Sequence, residues 1–200
     1  PVAGRIEVLG HGTASEAAAV QAMTGYMPQR SGLHDELTSA EILRLHGDLH
    51  DLPGGIGRAR AGELLERLGL APLGERRIRT LPIEARQKLA LACALVGEPR
   101  LVLLDEPTAG LDPGAGRELF RLAADLAARG TTVLWGTTSF EEAERCAHVL
   151  LLHEGRLLGQ GTPAEIAAPL KGRTHAVRAV GPDRRRVAAR LRAAPGVRDV

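Results

Sequence analysis

The chain has 200 residues, which is the length of one domain, or of one domain and the start of a second. Hydrophobic residues make up 44% and charged residues 25%, an ordinary globular balance, and the formal net charge of +2 is too small to indicate nucleic-acid binding by itself. The longest apolar run, residues 89–96, is far shorter than the ~20 residues that span a bilayer, so we expect any membrane association to come through a partner.

Two short elements are predicted near the start of the chain. Residues 5–9 alternate polar and apolar side chains, as in a strand that Gly10 ends, and residues 14–22 fit a short helix. A short apolar stretch follows at residues 25–29 and is interrupted by Pro28.

Three helices are predicted next. Thr38 and Glu41 fit a capping box, in which each side chain accepts a hydrogen bond from the other residue's backbone amide. The first helix then places three apolar residues on one face: Ile42, Leu45 and Leu49. After a loop at 51–55, a second helix carries Leu64, Leu65 and Leu68, and a third begins near Pro82 and runs to about Val96. We expect residues 38–70 to form a helical insertion, within a helical subdomain of about residues 38–96.

Strands and helices then alternate. The predicted elements are a buried parallel strand at 101–104, an amphipathic helix at 113–128, a strand at 132–135, a helix at 141–147, and a hairpin with strands at 149–152 and 157–158. Gly130 suits the end of the long helix. This alternation predicts an α/β sheet.

The last 30 residues change in character. We predict a strand at 174–180, a basic helix at 184–193 and the start of another strand at 196–200, as in an incomplete βαβ unit or linker. The arginines of that helix could touch lipid headgroups or RNA, but a solvated helix face is the better interpretation: Arg184, Arg185, Arg186, Arg190 and Arg192.

Other potential ligands receive structural interpretations. His46 and His50 have the i, i+4 spacing of a metal pair, but no Glu completes a metalloprotease motif, so we predict an exposed helix face. Cys93 and Cys146 lie within apolar helical patterns and are expected to be reduced and buried.

The strongest functional signal is the run LVLLDEPTAGLD at residues 101–112. The apolar strand places Asp105 at the carboxyl edge of the sheet, where ligands bind in open α/β folds. A carboxylate there can hold Mg²⁺, usually through water. Glu106 could polarise the water that attacks a γ-phosphate. An apolar strand ending in Asp is common, and only the whole run is specific.

This run resembles the Walker B motif and D-loop of ABC-transporter ATPases. Residues 25–29 are similar to the family's Q-loop, residues 31–38 to the lead into its helical subdomain, and residues 145–163 to its closing strand pair. The resemblance covers roughly residues 4–170 and is greatest for multidrug-exporter ATPases, especially the first half of fused two-ATPase subunits. It implies a P-loop NTPase-type core with these roles: Mg²⁺ and water binding by Gln29 and Asp105, catalysis by Glu106, and a D-loop formed by Ala109, Gly110, Leu111 and Asp112.

Three departures from the family pattern bear on activity. The first is that G-x-x-x-x-G-K-[ST], whose amides and Lys cradle phosphates, does not occur in the 200 residues. In the family it precedes the strand that resembles residues 4–9 by about two dozen residues. The expectation is therefore an ATPase domain over residues 1–170 that begins just downstream of this loop and of the adenine-stacking segment.

The second departure is in the family's signature, Leu-Ser-Gly-Gly followed two residues later by Gln. The aligned residues here are Leu81, Pro82, Ile83, Glu84 and Gln87. Pro82 has neither an amide hydrogen nor a hydroxyl, Ile83 is bulky, and Glu84 brings negative charge toward a polyphosphate. Two like charges ~4 Å apart repel by about 4 kcal/mol at an effective dielectric of 20. Pro and Glu nevertheless suit the start of a helix.

The third departure is at the position of the family's switch His, where alignment places Thr138. A Thr donates one hydrogen bond but carries no positive charge near neutral pH. Weak or slow hydrolysis is the expected consequence.

The resemblance therefore implies an ATP- and Mg²⁺-dependent subunit at the cytoplasmic face of the plasma membrane. It would power export through a separate membrane permease together with a second ATPase half, without nucleic acid. The alternative is an impaired docking or regulatory half that relies on a competent partner. A third hypothesis, a soluble ABC protein acting on ribosomes or DNA, is disfavoured by the short helical insertion. A fourth hypothesis is a truncated product without a stable function. The full-length protein is expected to hydrolyse ATP and this chain alone is not.

Overall fold

The computed structural model describes residues 3–30, 32–170 and 184–195. The helices are α1 (Ala17–Met23), α2 (Ser39–Leu49), α3 (Gly54–Arg67), α4 (Ile83–Leu95), α5 (Pro113–Ala128), α6 (Phe140–Ala143), α7 (Pro163–Ala167) and α8 (Arg184–Arg192). The strands are β1 (Glu7–Val8), β2 (His11–Gly12), β3 (Thr24–Met27), β4 (Leu101–Asp105), β5 (Thr132–Gly136), β6 (Val149–His153) and β7 (Arg156–Gly161). Short 3₁₀ helices lie at Ala71–Leu73, Ile78–Thr80 and Ala168–Leu170. The chain divides into two compact units, with the division after Phe140.

A parallel sheet with the strand order β3-β4-β5 organises the first unit. Met27 is level with Leu104 and Leu104 with Trp135, while Asp105 at the end of β4 is level with Gly136 at the end of β5. The carboxyl ends of the three strands therefore meet at one edge of the sheet. This is the α/β architecture that the sequence predicts.

The sheet buries one of its two faces. Val102 and Leu104 of β4 are 0% and 2% exposed and belong to the main core. On the opposite face, Tyr26, Leu103 and Leu134 are level with one another, and Tyr26 and Leu134 are 56% and 53% exposed. The prediction of a strand for this apolar run is confirmed, but within the chain described its burial alternates along the strand instead of being continuous.

The capping box at the start of α2 is confirmed. The Glu41 amide donates to Thr38 Oγ1 at 3.2 Å, and the Thr38 amide donates to Glu41 Oε2 at 2.8 Å. The hydrogen bond from the Thr38 amide favours the ionised carboxylate and lowers the pKa of Glu41. The helix therefore begins at a point that the sequence specifies locally.

Close packing of α2 against α3 selects a different buried face from the one expected. Of the three apolar residues predicted to share a face, only Ile42 is buried, while Leu45 and Leu49 are 37% and 71% exposed. Gly47 is also buried, and a methyl group there would lie 3.5 Å from the Cα of Gly57 in α3. The small residues let the two backbones approach, and this contact turns Leu45 and Leu49 outward.

Three predicted elements are shorter than expected. The strand expected at 5–9 is reduced to β1, because Leu9 and Gly10 both have positive φ angles and turn the chain into β2. The helix expected at 14–22 is α1. The helix expected at 141–147 is reduced to α6. The bounds of α4 and α5 agree with the predicted ones.

The second unit contains the predicted hairpin, formed by antiparallel β6 and β7. Glu154 and Gly155 make the turn, with φ angles of 47° and 73°, as the two-residue turns of twisted hairpins require. Helix α7 follows, opened by a capping box of Thr162 and Glu165 that the sequence analysis missed. The basic helix is confirmed as α8. The strands predicted at 174–180 and 196–200 lie outside the described residues.

The histidines and cysteines differ in their surroundings. His46 and His50 are half-buried, so the exposed face predicted for them is wrong. Burial, followed by the charges of His50 and His34, lowers the pKa of His46. Burial raises the pKa of Cys93 to about 12, as expected for an inert core thiol. Cys146 is a free thiol too, but only partly buried. Across the described ranges, no group of three or more His, Cys, Asp or Glu could hold a metal ion.

Candidate functional site

Two adjacent carboxylates lie where β4 ends. Asp105 is exposed, and its Oδ1 would lie 3.6 Å from a methyl group placed on Gly136, so the carboxylate sits beside the end of β5. Glu106 follows and is half-buried. The parallel register brings these groups to the carboxyl edge of the sheet, where the sequence predicts them.

Glu106 has an unusual backbone conformation. Its φ is 45°, in the left-handed region that costs a residue with a side chain about 1–3 kcal/mol. Its amide donates to the Gly136 carbonyl at 2.9 Å, and its own carbonyl accepts from the Ala109 amide at 3.0 Å. These two hydrogen bonds hold the strained residue, and strain of this kind is concentrated at functional sites.

The Glu106 carboxylate is held by the loop that follows β5. The Thr138 amide donates to Glu106 Oε1 at 2.8 Å. The structure thus brings together the predicted catalytic Glu and the residue at the switch-His position, but the contact uses the backbone of Thr138. Its side chain is exposed at the same edge. Any residue other than Pro at this position could make the same hydrogen bond.

Gln29 lies just beyond the end of β3 and is exposed. Because β3 and β4 are parallel and in register, Gln29 belongs to the same sheet edge as Asp105. An exposed carboxylate and an exposed amide oxygen are hard oxygen ligands, and Mg²⁺ prefers such ligands while keeping several waters. The residues present therefore fit Mg²⁺.

The predicted D-loop connects the carboxylates to α5. It is a tight turn: the Leu111 amide donates to the Thr108 carbonyl at 3.0 Å, and Gly110 has a φ of 79°. Asp112 then caps α5, with its Oδ1 accepting from the Gly114 and Ala115 amides. The loop is thus fixed at its carboxyl end by a helix cap.

The altered signature forms the start of α4. Leu81 is buried, Pro82 is the N-cap residue without a side-chain cap, and Glu84 lies in the first turn. Helix-start chemistry is therefore retained, as predicted. Ile83 is 45% exposed and Gln87 only 9%, and both side chains face the D-loop.

Ion pairs tie α4 to neighbouring segments. Arg86 pairs with Asp35 in the loop that leads into α2. Lys88 pairs with Glu118 of α5 at 2.7 Å. The start of α4 is thereby connected both to the loop before α2 and to α5, the helix that follows the D-loop.

One contributor to the site was missed by the sequence analysis. This contributor is Gly136. Its carbonyl accepts a hydrogen bond from the Glu106 amide, and its Cα, which has no side chain, lies beside Asp105. The available signal was a Gly at the end of a predicted strand. Its meaning depends on the strand register, which places Gly136 level with Asp105.

Comparison with known proteins identifies the family. The protein-family model described as "ABC transporter" matches residues 1–109, which is more than half of the chain. The chain belongs to the ABC transporter family and comes from one of its ATP-binding domains, as its motifs predict.

Two curated relatives have drug-resistance names. The chain is 41% identical to "Probable multidrug ABC transporter ATP-binding protein YbhF" of Escherichia coli K12, covering 87% of this chain and 30% of that protein. It is 42% identical to "Daunorubicin resistance ATP-binding protein DrrA3" of Streptomyces coeruleorubidus, covering 86% of this chain and 55% of that protein. The chain therefore spans about a third to a half of the length of these relatives.

Solved structures confirm the fold. One titled "Structure of ATP binding subunit of ABC transporter" superposes with a TM-score of 0.73 at 29% identity, covering 87% of this chain and 73% of that one. The structure of cbiO1 from Clostridium perfringens, part of the ABC transporter complex cbiONQ, gives a TM-score of 0.75 at 24% identity, with 96% and 73% coverage, and shows the fold alone. Among the helices described, none is long and apolar enough to cross a membrane.

Proposed function

We propose that this chain is part of an ATP-hydrolysing subunit that powers export through a separate membrane permease, at the cytoplasmic face of the plasma membrane. The observation that carries the proposal is the Glu106 carboxylate, held by the Thr138 amide beside Asp105 at the carboxyl edge of a parallel sheet. The names of the drug-resistance relatives support export. The net charge of +2 gives no support to a nucleic-acid partner.

Glu106 is the proposed general base. The Thr138 amide occupies Oε1, which leaves Oε2 with its lone pairs available to a water molecule. As that water attacks the γ-phosphorus of ATP, its proton passes to the carboxylate and the bond to the ADP oxygen breaks. The Thr138 amide holds the carboxylate, and the hydrogen-bonded backbone of Glu106 holds the residue at this edge of the sheet.

Asp105 and Gln29 are the proposed Mg²⁺ ligands, Asp105 through its carboxylate and Gln29 through its amide oxygen. Bound Mg²⁺ would neutralise phosphate charge. Exposure of both side chains supports this assignment, because ligand and water must reach them.

The test is steady-state ATPase activity of the native protein with its complete reading frame, compared with Glu106→Gln. The amide of Gln still offers an oxygen to the Thr138 N–H but cannot accept the proton at neutral pH. Loss of a general base costs about 10²–10⁴-fold in kcat. An unchanged kcat would rule out catalysis by Glu106.

A matched pair at residue 138 tests how the carboxylate is held. Thr138→Ala keeps the backbone N–H and should retain the activity of the native protein within a small factor. Thr138→Pro removes the N–H that bonds Glu106 and should lower kcat by about tenfold or more. Equal activities of the two variants would show that this hydrogen bond does not matter for the reaction.

The second candidate is a catalytically impaired half that docks on the permease while a competent half hydrolyses ATP. Pro82, Ile83 and Glu84 favour it, because Pro82 has neither an amide hydrogen nor a hydroxyl, Ile83 is bulky and Glu84 brings negative charge toward a polyphosphate. Glu84→Gly should then raise the ATPase rate of the assembled transporter, and Thr138→His should raise it further. Glu66→Gln, which removes an exposed Glu from α3, is the control.

Co-purification tests the partners. A permease and a second ATPase half recovered with the native protein would support both candidates. Recovery with ribosomes or DNA instead would overturn them.

A further inference from the structure

The first two turns of α4 contact the D-loop of the same chain at two points. Gln87, only 9% exposed, donates through Nε2 to the Ala109 carbonyl at 3.3 Å. A methyl group on Gly110 would lie 2.9 Å from Ile83 Cδ1, so the end of that side chain lies against the bare Cα of Gly110. One contact is polar and partly buried, and the other is apolar and at the surface.

Ala109 connects these contacts to the proposed base. The Ala109 carbonyl accepts a hydrogen bond from the Gln87 side chain, and the Ala109 amide donates to the Glu106 carbonyl at 3.0 Å. Glu106 has a positive φ, so its conformation depends on such outside support. The Gln87 side chain on α4 is thus linked to the strained residue through a single residue, Ala109.

Ile83 makes its contact at a position where the family pattern has Gly. A Gly has no side chain that could reach Gly110, so this contact depends on the altered signature. The same substitution that crowds a phosphate-binding position therefore adds support to the D-loop within the chain.

We propose that Gln87 and Ile83 are positioning residues that hold the D-loop and, through Ala109, the backbone of Glu106. The proposal rests on the proposed function for the role of Glu106, but its structural part does not. Gln87 fixes the loop through its N–H donor and Ile83 by filling the space beside Gly110. Neither touches the reacting atoms.

Replacing Gln87 tests the donor. Gln87→Met keeps the volume but removes the N–H, and Gln87→Glu places an ionised oxygen against the Ala109 carbonyl. Each should lower kcat by about tenfold, with the KM for ATP little changed, because a lost buried hydrogen bond disturbs the base more than nucleotide binding.

The pH profile separates positioning from simple loss of packing. A protonated Glu can donate its O–H to the Ala109 carbonyl, and burial raises the pKa of such a carboxyl. The kcat of Gln87→Glu relative to wild type should therefore recover as the pH falls from about 8 to about 6, while that of Gln87→Met stays low. A constant ratio for both variants would overturn the role of the donor.

Hydrogen exchange gives a readout that is independent of ATPase activity. Amides of residues 106–112 should exchange faster in Gln87→Met and in Ile83→Ala than in the native protein. Ile56→Ala is the matched control, since Ile56 is similarly exposed, at 59%, on α3. If Glu106→Gln keeps full activity, the proposed function fails while this measurement still tests the contacts.

Ile83→Ala also covers the possibility that Gln87 variants do not fold, because Ile83 is exposed and Ala suits a helix. Faster exchange confined to residues 106–112 supports the proposal. The proposal is overturned if residues 106–112 exchange at the wild-type rate in Ile83→Ala and in every Gln87 variant that folds.

Discussion

Gly25 of β3 lies at the closest approach between the sheet and the end of α4. A Cβ added there would lie 2.0 Å from the Ala94 carbonyl oxygen and 3.1 Å from Pro99 Cγ. Ordinary van der Waals contact begins near 3.4 Å, and the atom in the way belongs to backbone, which cannot rotate aside. Gly25→Ala therefore requires β3 and α4 to separate.

Overpacking of a core costs about 1–3 kcal/mol, and a backbone obstacle should place this variant at about 3 kcal/mol or above. For a domain of this size, 1 kcal/mol corresponds to about 2–4 °C, so the unfolding midpoint should fall by roughly 6–12 °C. The displacement of β3 also moves Gln29, so ATPase activity should decrease with stability.

Gly62 is the matched control for this substitution. It is exposed within α3, and a Cβ there would meet nothing within 4 Å. Gly62→Ala should therefore stabilise the helix by about 0.4–1 kcal/mol. Thermal unfolding of the native protein followed by circular dichroism measures both variants. A midpoint for Gly25→Ala within about 2 °C of wild type would refute the packing argument.

Three further predictions concern single side chains. Arg60 is 15% exposed and donates to the Leu95 carbonyl at the end of α4, so Arg60→Ala should lower the free energy of unfolding in urea by about 1–3 kcal/mol. Burial lowers the pKa of His46 below 6.5, so its contribution to stability is present above that pH and lost below it; His46→Gln should therefore weaken the fall in unfolding midpoint between about pH 7.5 and about pH 5.5. Burial raises the pKa of Cys93 to about 12, so a thiol reagent at pH 8 should label the partly buried Cys146 first and Cys93 only after unfolding; equal rates would contradict this.

Elements with local start and stop signals could be predicted from the sequence. The bounds of α5 follow from the Asp112 cap, Pro113 in the first turn and Gly130 after the end. The position of Asp105 follows from the apolar strand before it. Each of these depends on residues within a few positions of one another, so the sequence contains all the information needed.

Features that depend on long-range contact could not be predicted. Leu49 turns outward because two glycines bring α2 and α3 together, and helical periodicity alone does not contain that contact. The bond from the Thr138 amide to Glu106 joins residues 32 apart and involves no characteristic side chain. The hydrogen bond from Gln87 to the Ala109 carbonyl also joins distant positions, which are 22 residues apart.

The altered signature shows why fold and ligand contact can diverge at one position. The start of α4 requires residues that tolerate or favour free amides, and Pro82 and Glu84 meet that requirement. Phosphate contact requires a hydroxyl and bare backbone, and these residues supply neither. Ile83 is compatible with the helix and also fills the space beside Gly110. Changes at these positions therefore leave the fold intact, and we propose that they replace contacts to a nucleotide by contacts within the chain. Glu84→Gly should therefore affect closure over the nucleotide, whereas Ile83→Ala should affect the rigidity of the D-loop.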